Sequence, residues 1–122
     1  MSTAPQPLWT VTPEKIRAAV ERLVTAAQPR KIILFGSRAR DDARMDSDLD
    51  LLVIEAQVRD RVAEMVRLNR ALRGLLLPVE LLVIGEAEFA TWSRTPGNVY
   101  YEALREGRIL YESESPDSAV AA

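Results

Sequence analysis

Three acidic residues and a Gly-Ser pair set the chemical question. Asp48 and Asp50 flank Leu49 at the entry to an apolar run, Leu51-Leu52-Val53-Ile54. In a strand alternate residues share a face, so both carboxylates point the same way. Two like charges at the end of a central strand repel each other and resist leaving water. A divalent cation between them removes that cost. Such a pair can bridge two Mg²⁺ ions roughly 3.5–4 Å apart, the arrangement used for in-line phosphoryl and nucleotidyl transfer. Glu80 is the only charge in a third apolar run, Val79 to Ile84. If the two strands are neighbours, Glu80 reaches the same space, where it can hold metal and accept a proton. Gly36-Ser37 follows a further apolar run, Lys31 to Phe35. Glycine lets a backbone approach a phosphate closely, and the serine hydroxyl and turn N–H groups can bind its oxygens.

Each feature has a plainer explanation. Asp48 and Asp50 can cap turns or pair with Arg38, Arg40 or Arg44. Glu80 can face solvent at a strand start, and Gly-Ser occurs in ordinary strand-to-helix turns. Arg38, Arg40 and Arg44 can clamp a triphosphate, or balance Asp41, Asp42 and Asp46. The combination favours the catalytic explanation.

Composition narrows the chemistry. The 122 residues correspond to one domain, and 48% hydrophobic content can build a core. There is no cysteine and no histidine. A disulfide frame, thiolate chemistry and a usual zinc site are excluded, and carboxylate-only sites favour Mg²⁺ or Mn²⁺. The net charge of -2 argues against general nucleic-acid binding. The opening MSTAPQPLW has no basic segment followed by an apolar one, so no signal peptide is expected. No apolar run is long enough to span a bilayer. A soluble cytoplasmic protein is the expectation.

The elements that would position these residues follow from the pattern. Thr12-Pro13 reads as an N-cap with proline at the first helical position, and a helix runs to about Gln28. Lys31–Phe35 is a buried strand, and 37–43 a short helical turn and loop. Asp48–Glu55 is the second strand. From Gln57 to Leu76 the period is helical, with Val58, Val62, Met65, Val66, Leu72, Leu75 and Leu76 on one stripe. Arginines take the other positions, a solvated face rather than an RNA-binding one. Residues 78–84 form a third strand, 86–94 a short helix and 98–106 a last helix with Gly107 at its C-cap position. Residues 108–111 close the domain as a strand. Trp92, Tyr100 and Tyr101 are expected in core packing. Residues 1–11 are expected to be a loose lead-in, 12–111 the domain, and 112–122 a disordered tail. This order suggests a small α/β (α+β) domain with a sheet of three to four strands and helices packed on it.

Taken together, FGSRAR and SDLDLLV resemble the nucleotidyltransferase superfamily of DNA polymerase beta and kanamycin nucleotidyltransferase. Within it the chain looks like the minimal nucleotidyltransferases (MNT) of bacteria and archaea, over about residues 30–111. The resemblance implies a palm-like fold with a small mixed β-sheet, Mg²⁺ dependence and a nucleoside triphosphate donor, ATP above all. It assigns Asp48, Asp50 and Glu80 to metal binding and catalysis, and Gly36, Ser37, Arg40 and Ser47 to the nucleotide. It further implies a HEPN-domain toxin as partner, with transfer of AMP to a tyrosine of that toxin and an antitoxin role. Two positions depart from the family: Asp41 stands where glycine is usual, and Glu80 where aspartate is usual. The alternatives are a weak or inactive member that neutralises its toxin by binding alone, or a small-molecule enzyme with an aminoglycoside-like acceptor.

Overall fold

The computed structural model describes residues 10–40 and 48–113. The expectations for Asp41, Asp42, Arg44, Asp46 and Ser47, and for residues 1–9 and 114–122, fall outside those residues; Glu112, expected in the tail, is instead the last residue of the closing strand.

Thr12 opens the first helix, its hydroxyl accepting the N–H of Lys15 at 3.2 Å, with Pro13 in the first turn. This helix, α1, spans Pro13–Ala27. Pro29 follows it, and the apolar Lys31–Phe35 forms β1. A 3₁₀ turn takes Gly36–Arg38. Then come β2 at Leu49–Glu55, α2 at Arg61–Ala71, β3 at Val79–Gly85, α3 at Glu86–Trp92, α4 at Val99–Glu106 and β4 at Arg108–Glu112.

The strands make one mixed sheet in the order β3-β2-β1-β4. β1 is antiparallel to β2 and to β4, while β2 and β3 are parallel, joined through α2. Central β2 is apolar on both faces from Leu51 to Ile54, as a strand covered on both sides must be. Its odd-numbered residues pack with Ile32, Leu34, Leu81 and Val83 against α1 and α2. Its even-numbered residues Leu52 and Ile54 pack with Ile33 and Ile84 against Phe89 of α3 and Ala103 of α4. Asp50 belongs to this second face.

Two expectations for the helices are corrected. The α2 helix starts at Arg61, because Asp60 Oδ1 accepts the N–H of Ala63 at 3.0 Å and leaves 57–59 outside. It ends early too: positive φ at Gly74 (87°) and Leu76 (53°) turns the chain, and α1 closes the end. There Lys15 Nζ donates to Leu76 O (2.9 Å), and Arg22 Nη1 to Arg73 O (2.6 Å) and Ala71 O (3.3 Å). The buried stripe shifts with those limits. Leu68 and Leu72 fill the core, whereas Val62, Val66 and Leu76 are exposed. Second, Trp92 is half exposed at the end of α3. Tyr100 does pack, its ring edge-on to Phe89 at 6.5 Å. Gly107 stands at the C-cap of α4 as expected, in an extended conformation, φ -75° and ψ 163°. Glycine is needed there for space, because a β-carbon would collide with Ala103 O and the Ile33 side chain.

Candidate functional site

β2 and β3 run in parallel register, with Asp50 beside Glu80. This is the adjacency that would put Glu80 in front of the aspartates. Asp48 lies just before β2, exposed, and close enough for its charge to act on Asp50. On the other side of β2, Asp50 pairs with Phe35, the last residue of β1. Gly36 follows with φ +75°, a conformation glycine adopts without steric cost. A β-carbon at Gly36 would overlap Asp50 Oδ2. The glycine therefore serves twice: it makes the turn, and it leaves the place the Asp50 carboxylate occupies. Ser37 sits in the 3₁₀ turn directly beyond, and Arg40 N bonds back to Gly36 O at 3.3 Å.

Burial pushes the Asp50 carboxyl up to about 6, helped by the charge of Glu80, a hydrogen bond with Glu80, and the charge of Asp48. Arg40 pulls the other way. Two carboxyl groups sharing a hydrogen bond need a proton between them. A cation can take the proton's place.

A cleft of about 380 Å³ opens next to this pair. Phe35, Gly36 and Arg40 form one wall, and the start of α4 with Glu102 and Glu106 forms the other. The cap residue Asn98 is occupied: its Oδ1 accepts the N–H groups of Tyr100 and Tyr101, and its Nδ2 donates to Trp92 O and Thr95 O. Arg40 Nη1 lies 3.4 Å from Glu106 Oε2, a half-exposed ion pair across the cleft.

Among the described residues no three acidic side chains are gathered as a ready metal cluster. The donor set fits Mg²⁺ all the same. That ion takes one or two protein carboxylates and leaves its other positions to water and substrate phosphates. Asp50 and Glu80 supply such a pair, all oxygen, with Asp48 close by and Gly36 leaving the Asp50 carboxylate its place. Bound there, the ion would neutralise phosphate charge and polarise the reacting phosphorus.

A second acidic group was not foreseen. Glu55, at the far end of β2, shares a hydrogen bond with Glu64 of α2, and its Oε2 is buried without a partner among the described residues. Arg67 grips Glu64 with Nε (2.8 Å) and Nη2 (2.6 Å). The sequence signal was Glu55 closing an apolar strand, with Glu64 and Arg67 one helical turn apart.

The chain matches the family model for polymerase beta, nucleotidyltransferase, over residues 14–116, and it belongs to that family. Within it, the chain is a minimal nucleotidyltransferase. A protein assigned as a minimal nucleotidyltransferase is 31% identical to it, over 87% of this chain and 98% of that one, with a TM-score of 0.51. The fold is also similar to a toxin–antitoxin crystal structure with AMP-PNP, at 21% identity and TM-score 0.59, covering 91% of this chain and 82% of that one. A third likeness is to the Shewanella oneidensis complex of a tri-AMPylated HEPN toxin with an MNT antitoxin. There the values are 19% identity, TM-score 0.52, and coverage of 88% of this chain and 80% of that one. No curated protein matches the chain.

Proposed function

We propose that this minimal nucleotidyltransferase transfers AMP from ATP, with Mg²⁺, to a tyrosine hydroxyl of a HEPN-type toxin and so acts as its antitoxin. The observation that carries this is the register of Asp50 with Glu80 over the side-chain-free Gly36. The neighbouring cleft, walled by Arg40 and α4, has room beside it for part of a nucleotide. The similar folds seen with AMP-PNP and with a tri-AMPylated toxin support the donor and the acceptor.

In the proposed reaction the acceptor oxygen bonds to the α-phosphorus. The bond from that phosphorus to the bridging oxygen breaks, and pyrophosphate leaves. The hydroxyl proton passes to Glu80, which Asp50 positions. Asp48, Asp50 and Glu80 would hold metal, Gly36 and Ser37 face the phosphates, and Arg40 balances their charge.

The test is labelling of the cognate HEPN protein by ATP carrying a labelled α-phosphate. The D48N/D50N double variant should fold, bind the partner and lose labelling by more than about a hundredfold, the scale expected when transition-state charge stabilisation is removed. Undiminished labelling would overturn the proposal. One observation favours a second reading, neutralisation by binding alone: Arg40 already pairs with Glu106. That reading requires the wild-type chain to block toxicity with no AMP found on the toxin.

A further inference from the structure

The outer face of α2 carries what folding does not explain. Val62 and Val66 stand one turn apart and are 71% and 47% exposed. Single exposed valines are ordinary. Two in helical register, on a helix whose core contact is already made by Leu68, form a small apolar ridge. Arg59 precedes the helix, Arg70 lies in its last turn, and Arg73 lies just past its end. The side chains of these three arginines have no hydrogen-bond or ion-pair partner among the described residues. The neighbouring arginines are engaged: Arg61 with Tyr100 Oη (3.1 Å) and Glu88 (3.7 Å), and Arg67 with Glu64 and Ala26 O. The chain as a whole is net negative, so this local surplus of positive charge is not a general property of its surface.

We infer that the Val62/Val66 ridge with Arg59, Arg70 and Arg73 is a docking surface for a protein partner presenting an acidic helix with aliphatic residues along its centre. An aliphatic centre rimmed by arginine is the composition of a protein interface. A single-stranded nucleic acid would call for aromatic platforms, and this face offers none. α2 covers the sheet face opposite the one that carries Asp50 and Glu80. Docking there leaves the cleft beside Gly36 open, so binding and transfer are separable, and the inference does not depend on the transfer reading.

The test uses the full chain, isotopically labelled, and two helical peptides with the same alanine and leucine pattern, one with glutamate and one with lysine on the polar face. Amide resonances of Val62, Val66 and Arg70 should move with the glutamate peptide and stay still with the lysine peptide. V62S/V66S and R59E/R70E/R73E should each weaken binding at least tenfold while the rest of the spectrum keeps its dispersion. The inference is overturned by no binding, by equal binding of both peptides, or by shifts centred off α2. It is equally overturned if a uridine 20-mer moves the α2 resonances and the glutamate peptide does not.

Discussion

The Asp50 carboxylate occupies the place that a β-carbon on Gly36 would take. Gly36 starts the turn after β1 and Asp50 is the second residue of β2, so the contact locks the turn to the strand it faces. Gly36→Ala meets two obstacles, the positive φ and the collision. It should cost about 1–3 kcal/mol and abolish ATP binding. The partner change Asp50→Ala removes the collision and leaves the φ. The G36A/D50A double variant should therefore be more stable than the sum of the single changes predicts, by at least about 0.5 kcal/mol. Strict additivity in thermal unfolding would show that the contact is not under strain.

Asp50→Asn separates stability from function. Burial and the charges of Glu80 and Asp48 raise the Asp50 carboxyl, so its ionised form is disfavoured in the metal-free fold. Its contribution to stability is full below the ordinary 3.8 and is lost as pH rises through about 6. At neutral pH the uncharged asparagine should stabilise the metal-free chain by roughly 1 kcal/mol, allowing for solvent screening. Mg²⁺ and ATP should then raise the unfolding temperature of the wild type and not of D50N. An Mg²⁺-dependent rise in both would remove Asp50 from the metal site.

What the sequence revealed, and what it hid, follows from how far apart the deciding contacts lie. Asp50 was legible because a charge in an apolar strand conflicts with burial, and Gly36 because it ends a strand. Both signals are local. A sheet of three or four strands followed from the order of the apolar runs, and its mixed character from the family resemblance. Whether Glu80 sits beside Asp50 depended on parallel pairing of β2 with β3, which periodicity does not give. The face of α2 was misread because Val58 was counted in phase with the helix, while the Asp60 cap starts the helix three residues later. The Arg40–Glu106 contact joins residues 66 apart, and no local pattern announces it. Gly107 was placed correctly at a helix end, but its reason is the Ile33 side chain from another strand.

If Arg40 meets the nucleotide as proposed, Glu106 competes with phosphate for it. Their half-exposed pair is of the kind worth about 0–1 kcal/mol. Glu106→Gln should therefore tighten ATP binding by about two- to threefold, while Arg40→Ala should weaken it by about tenfold or more, the scale of a lost charge-assisted hydrogen bond. Calorimetric titration of both variants and of their combination distinguishes competition from simple charge balance. In R40A/E106Q the gain from E106Q should vanish. A gain that persists would mean Glu106 repels the nucleotide directly.

The Glu55–Glu64 pair should make stability fall on the alkaline side. Glu55 is pushed up to about 8 by burial, then by its hydrogen bond with Glu64 and that residue's charge. Glu64 is held down to about 2, chiefly by Arg67 and then by the hydrogen bond from Glu55. The proton thus resides on Glu55. Its stabilising contribution is complete below the ordinary 4.5 and disappears as pH rises from there through about 8. The contribution of Glu64 runs the opposite way, present above 4.5 and lost toward about 2. Glu55→Gln cannot ionise, and its amide can still donate to Glu64. Unfolding temperatures of the variant and the wild type should agree below the ordinary 4.5, where Glu55 is protonated in both the folded and the unfolded chain. Near pH ~9 the variant should be the more stable by roughly 1 kcal/mol, one net hydrogen bond. Parallel curves across that interval would mean that Glu55 is ionised in the folded chain throughout.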